Sequence, residues 1–232
     1  GAIEKTKHQV VVRVDAHSEL SENYAATALE VLNATGAANA GGVMKAVGES
    51  DFQKAVAYGY NNRIGLGGGA YHVGATAGPK ESVYLGVFDK AKLLAAGGFD
   101  PKWVRGQDWE LNRRLRAAGE VVWFDPRLEV TYRPRGSWSK LAKQFFKTGV
   151  WRGALTRENP GEAAARYWIP PLLVVSLIFV FPLWLYLGLI GVIALNAKGL
   201  DNKAKLWLIA VLPTMHLSWG AGFWLGLIRE AN

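Results

Sequence analysis

Cysteine is absent from the 232 residues of this chain. That excludes a disulfide framework, a thiolate metal site and a cysteine nucleophile. Methionine is nearly absent, with two residues. Charge is missing altogether from two long stretches, Tyr167 to Ala197 and Leu206 to Ile228. Both exceed the roughly 20 residues that cross hydrocarbon as a helix. No secretory signal pattern stands at the N-terminus, and the chain opens on Gly and runs soon into a strand. The expectation is a soluble domain followed by a membrane region, in a piece of a longer protein that lacks its N-terminal part.

The charge that is present lies forward. Residues 1–166 carry 23 of the 27 Lys and Arg and 17 of the 19 Asp and Glu. The surplus is concentrated late: Arg133, Arg135, Lys140, Lys143, Lys147, Arg152 and Arg157 follow one another with no acid between Val130 and Arg157. Beside a membrane such a block suits anionic headgroups on the cytoplasmic side. It equally suits a nucleotide diphosphate or a nucleic acid, and a solvated basic face accounts for part of it.

Hydrophobic periodicity and turn residues predict alternating elements. Val10–Val14 reads as a short buried strand of a parallel sheet. Ser21 caps a helix over Glu22–Thr35, closed by Gly36. Asn39–Val47 is extended, and Asp51–Tyr60 is a helix with Phe52, Ala55, Val56 and Gly59 on one side. Gly65 to Ala77 is a loop containing His72. Ser82–Phe88 is a strand, Lys90–Ala96 a helical turn or two, and Asp108–Ala118 a helix with Gly119 past its end. Val121–Phe124 and Leu128–Tyr132 are two short strands. Ser137–Thr148 is an amphipathic helix with Trp138, Leu141, Ala142 and Phe145 as its apolar stripe.

Two segments carry chemistry. In Val10–His17 the apolar run stops at Asp15, and alternation puts His17 on the same side as Asp15. An acid and an imidazole at a strand end can ligate a divalent cation, which in turn can hold a diphosphate. A polar turn explains the same residues. In Arg105–Asn112, Gly106 permits a tight approach and Asp108 stands at a helix start, where the dipole favours its ionised form. An unpaired carboxylate there can act as a general base. A purely capping acid is the other reading.

Taken together, VVRVDAH, YLGVF, GGFDPKWVRGQDWELNRRLRAAG, VVWFDPRLEVTYRPR and QFFKTGVWR, followed by apolar spans, resemble family 2 glycosyltransferases. The likeness is greatest to bacterial exopolysaccharide enzymes of the succinoglycan glucosyltransferase type, and it covers nearly the whole chain. It implies an α/β fold of the GT-A type, partial because the N-terminal nucleotide-binding units are absent, followed by C-terminal transmembrane helices. It implies a partial catalytic domain over residues 1–135, a basic amphipathic interfacial region over 136–166 and a transmembrane region over 167–232. Asp15 and His17 would occupy the place of the DxD motif, contacting the donor diphosphate and its Mn²⁺ or Mg²⁺; His in the second position departs from the strict motif. Gln107-Asp108 resembles the Glu-Asp motif, with Asp108 as catalytic base. Gly86 falls where such enzymes pass a loop close to the donor sugar. Gln144, Lys147, Trp151 and Arg152 resemble the Q-x-x-R-W motif near the diphosphate, although Trp151 comes seven residues after Gln144.

The resemblance further implies an inverting hexosyltransferase. Its donor would be a nucleotide sugar, a UDP-sugar before others, and its acceptor a polysaccharide or lipid-linked glycan. It would be a multi-pass protein of the bacterial inner membrane with a cytoplasmic catalytic domain and no nucleic-acid partner. The piece alone is expected to be inactive. Two alternatives are a transferase acting on a polyprenyl phosphate, and a non-catalytic membrane-anchored module binding polyanions through 130–157. The 31 uncharged residues of the first run are long for one span and short for two. Pro182 would mark a kink or a hairpin tip. Positive-inside bias favours Lys198–Lys205 in the cytoplasm, hence the hairpin; helix length favours one tilted span with that segment outside, and two crossings in all, with Arg229 near the cytoplasmic face, is the expectation.

Overall fold

The structure, a computed structural model, describes residues 3–16, 18–66, 68–177 and 179–229. In chain order the elements are β1 (Val10–Val12), β2 (Ser18–Leu20), α1 (Tyr24–Thr35), β3 (Asn39–Ala46), α2 (Asp51–Tyr60), α3 (Arg63–Leu66), α4 (Ala70–Val73), β4 (Gly78–Pro79), β5 (Tyr84–Asp89), α5 (Lys90–Ala95), α6 (Gln107–Ala117), β6 (Val122–Tyr132), α7 (Trp138–Glu158), α8 (Ile169–Ser176), α9 (Val180–Asn196) and α10 (Asn202–Ile228). They form two compact units. Residues 1–46 and 68–133 make the first; residues 47–67 and 134–232 make the second. The stretch 47–67, which the sequence reading kept with the α/β domain, is thus part of the helical unit.

The first unit is a mixed sheet in the order β1-β5-β3-β6-β2, with β4 also on β6. Among the described residues only β3 and β6 run parallel; the other pairings are antiparallel. The valine strand therefore differs from expectation. It is an edge strand pairing β5 alone, and it leaves Val12 38% and Val14 55% exposed. A valine run has the same composition at an edge as in a centre, so the pattern could not separate the two.

Helices cover both faces of the sheet. On one, Tyr24, Ala28, Val31 and Leu32 of α1 pack on Leu85, Val87, Leu128 and Val130. On the other, Leu93, Leu111 and Leu115 pack on Phe88, Val122 and Phe124. In β6, residues 122 and 124 face one side and 128 and 130 the other, although a regular strand would put all four on the same side. An irregularity reverses them: β3 advances from Gly41 to Val43 while β6 advances from Phe124 to Glu129. Gly42 makes room, since a Cβ there would lie 2.0 Å from the Leu128 carbonyl oxygen. This bulge joins the two expected short strands into one. Helix α1 starts at Tyr24 with Asn23 as its cap and no capping side chain, rather than at Ser21. Helix α2 has the expected bounds and a full capping box from Ser50 and Gln53.

In the second unit α7 runs to Glu158, 21 residues in all, where Thr148 was the expected end. Its far half lies along α10 at backbone distance. A Cβ on Gly149 would meet the Trp219 carbonyl oxygen at 2.1 Å, and one on Gly153 that of Phe223 at 2.1 Å. Reciprocally, Gly222 faces the Phe146 carbonyl at 2.1 Å and Gly226 that of Val150 at 2.0 Å. Two Gly-x-x-x-Gly pairs thus interlock, and the pairing runs parallel. Helix α2 covers the first half of α10, with Phe52 edge-on to Trp207 at 5.3 Å and Lys54 3.4 Å from Asp201.

Helix α10 alone, among the described residues, is long and apolar enough to cross a membrane; its most apolar window is 39% buried. The first uncharged run divides into α8, of 8 residues, and α9, of 17. Pro170 and Pro171 open α8, and Pro182 lies in the first turn of α9 rather than at a kink. Proline is tolerated there because the amides of a first turn have no intrahelical acceptor.

Candidate active site

Asp15 and Asp108, 93 positions apart in sequence, meet on one guanidinium. Arg13 continues the β1 ladder, its amide donating to the Gly86 carbonyl at 3.2 Å. Its Nη2 donates to Asp15 Oδ1 at 3.1 Å, and its Nη1 pairs with Asp108 Oδ1. Alternation along the strand end puts Arg13 and Asp15 on one side. The guanidinium also lies 5.4 Å from the centre of the Phe99 ring, within cation–π range. The Arg13 side chain is 18% exposed, against 43% for Asp15 and 34% for Asp108. A covered cation thus holds two accessible carboxylates. The expected unpaired Asp108 is instead an ion-paired one, because Arg13 reaches it from an element the sequence could not place beside α6.

Helix α6 fixes Asp108 at its second position, after Gly106 in the left-handed region at φ 70°. One turn on, Asn112 is buried and accepts at Oδ1 from Asn39 Nδ2 at 2.7 Å, while its own Nδ2 donates to Ser82 Oγ at 2.9 Å. Arg114 pairs with Glu110 and donates to the Ala96 and Gly98 carbonyls, tying α6 to the loop after α5. Two hydrogen bonds of Asn112 and two of Arg114 therefore set where α6 stands. Beyond Asp15, its carbonyl oxygen accepts from the Ser18 amide at 3.0 Å. The Ser18 hydroxyl lies 3.1 Å from that of Tyr84. Burial pushes the Tyr84 phenol up to about 12, and the Asp15 charge adds to the shift; Tyr84 stays a neutral hydroxyl at physiological pH.

The remaining expected residues fall elsewhere. Gly86 is not in a loop but inside β5, buried, where a Cβ would meet Asn39 Oδ1 at 2.1 Å. Its small size serves the Asn39–Asn112 contact. His17 lies outside the described residues. Gln144, Lys147, Trp151 and Arg152 all stand on α7 in the second unit. Gln144 donates to the Tyr60 hydroxyl at 3.1 Å, Trp151 is buried, Arg152 lies 4.4 Å from the Tyr167 ring centre, and Lys147 is exposed. Sequence reasoning passed over Arg13, Asn39, Ser82 and Tyr84. Position i−2 from Asp15 was the available signal for Arg13.

A divalent cation was expected at Asp15 and His17. Among the described residues no three His, Asp or Glu side chains converge as a ligand set. Asp15 already carries the Arg13 guanidinium. His17, the other expected ligand, lies outside the described residues.

The arrangement is that of a mixed α/β protein with an acidic pair, one member at a strand end and one at a helix start. No protein-family model matches the chain. Among known proteins it is similar to the succinoglycan biosynthesis protein ExoA of Rhizobium meliloti (strain 1021), 29% identical over 230 residues. The likeness covers 94% of this chain and 69% of that protein, and so extends through both units.

Proposed function

We propose that this chain is a glycosyltransferase of extracellular polysaccharide assembly, a GT-A-type enzyme of family 2 that inverts configuration at the transferred sugar. The observation that carries the reading is the convergence of Asp15 and Asp108 on Arg13. A likeness to a succinoglycan biosynthesis protein along 94% of the chain supports the same class.

In this reading Asp108 takes the proton from an acceptor hydroxyl as that oxygen attacks the anomeric carbon. The bond to the nucleoside diphosphate breaks on the opposite side, and the diphosphate leaves with the electron pair. A positioned general base supplies about 10²–10⁴-fold, and orientation of the two substrates supplies more. The donor is a nucleotide sugar, with UDP-sugars first, and the acceptor a polysaccharide or lipid-linked glycan.

The protein works at the cytoplasmic membrane face, where nucleotide sugars are made. Broadly exposed apolar side chains support membrane contact: Trp184, Leu185 and Leu195 on α9 are 67%, 61% and 74% exposed. A purely polyanion-binding role is disfavoured, since Arg133 is engaged by Glu19 at 3.3 Å and Arg152 by Tyr167.

The test is incubation of membranes holding the full-length protein with labelled UDP-glucose, UDP-galactose and GDP-mannose, followed by separation of lipid and polysaccharide fractions. Label is expected in a glycan fraction. Label in a lipid monophosphate sugar would make a polyprenyl phosphate the acceptor. Label in neither fraction with any donor contradicts the reading.

A further inference from the structure

We propose that Arg13 is a positioning residue of the transfer site, its guanidinium tying Asp108 to Asp15 so that the Asp108 carboxylate is held in one attitude toward the acceptor hydroxyl. The inference rests on the reading of Asp108 as the base.

Three features of Arg13 carry it. Its backbone is part of the sheet ladder through Gly86, so the stem starts from a fixed point. Its guanidinium is covered by the Phe99 ring and is the least exposed of the three charged groups. Its two terminal nitrogens serve two different carboxylates, one on the strand side and one on the helix. A planar fork presents separate nitrogens to two carboxylates; a lysine ammonium is a single point on a flexible stem.

The need for such a tie follows from where Asp108 sits. The buried Asn39–Asn112–Ser82 contacts fix the backbone of α6, not the carboxylate of a residue in its half-buried first turn. A two-bond aspartate side chain there has several staggered attitudes. The pair with Arg13 selects one. Misplacing a reacting group by about 1 Å can cost on the order of 10²-fold, so loss of the tie should fall on turnover rather than on donor binding.

The experiment compares Asp108→Asn, Arg13→Ala and Arg13→Lys in membranes holding the full-length protein, with UDP-glucose, UDP-galactose and GDP-mannose as donors. Thermal unfolding in detergent accompanies each variant. Arg13→Ala is expected to lower kcat about 10- to 100-fold with the donor KM within about threefold. Millimolar guanidinium chloride should restore much of the loss, and sodium chloride at equal ionic strength should not. Arg13→Lys keeps the charge and should fall between. It carries the test if Arg13→Ala fails to accumulate. If Asp108→Asn is inactive while Arg13→Ala keeps its kcat, or loses it without guanidinium rescue, the role of Arg13 is overturned and Asp108 stands. If Asp108→Asn is fully active, the reading of the base is what falls.

Discussion

Asp108 was legible as a helix-start acid and Asp15 as a strand-end acid, each with an ordinary structural explanation beside it. What the sequence could not supply was their meeting, because Arg13 reads as a polar interruption of a valine run. The polar contacts behind them make testable demands. Gly86→Ala would drive a Cβ to 2.1 Å from Asn39 Oδ1 and break its bond to Asn112. A loss of about 1–3 kcal/mol, the usual range for overpacking, is expected in chemical denaturation, and a variant as stable as the parent would contradict the packing role. His72 offers a second check. Burial holds its imidazole down to about 3, so the folded protein keeps it neutral where the unfolded chain, with an ordinary value near ~6.5, is protonated. The folded form is therefore fully favoured by this group above about pH 6.5 and loses that advantage as pH falls toward 3, by at most ~1.4 kcal/mol per pH unit. Melting temperatures from pH 7 to pH 4 should drop less in His72→Leu than in the parent.

At the scale of elements, periodicity located most helices because their apolar faces recur at the helical interval. Asp51–Tyr60 and the Gly36 stop are examples. It missed pairings that depend on a partner. The bulge opposite Gly42 made one strand look like two, since the inward face changes side between Phe124 and Leu128. The far half of α7 was not read as helix; its Gly149 and Gly153 let α10 approach. Their interlock with Gly222 and Gly226 leaves no space for a side chain. Gly153→Val and Gly226→Val should each lower the melting temperature of the detergent-solubilised protein, through backbone separation along the seam. Gly161→Ala, with nothing within 4 Å of its added carbon, is the control and should leave it unchanged. Equal melting of all three variants would mean that the α7–α10 seam contributes nothing.

At the scale of the whole molecule, the apolar runs pointed to membrane contact, and the first of them divides into α8 and α9 rather than forming one long helix. The insertion 47–67 is short and carries Glu49, Asp51, Lys54 and Arg63, a composition that does not cross hydrocarbon. If that charged insertion lies on the cytoplasmic side, its Lys54–Asp201 pair at 3.4 Å brings the start of α10 there too, the placement that positive-inside bias also gives. A cysteine placed at Asn202 should resist an impermeant thiol reagent in intact cells and react after lysis; labelling of intact cells would put the segment outside. The central claim is the sugar transfer itself, with Asp108 as its base. The most direct measurement is single-turnover transfer from the preferred nucleotide sugar by the parent and by Asp108→Asn, with donor affinity measured in parallel. The account predicts a fall in the transfer rate of at least ~10²-fold with donor affinity little changed; transfer at the parental rate by Asp108→Asn would contradict it.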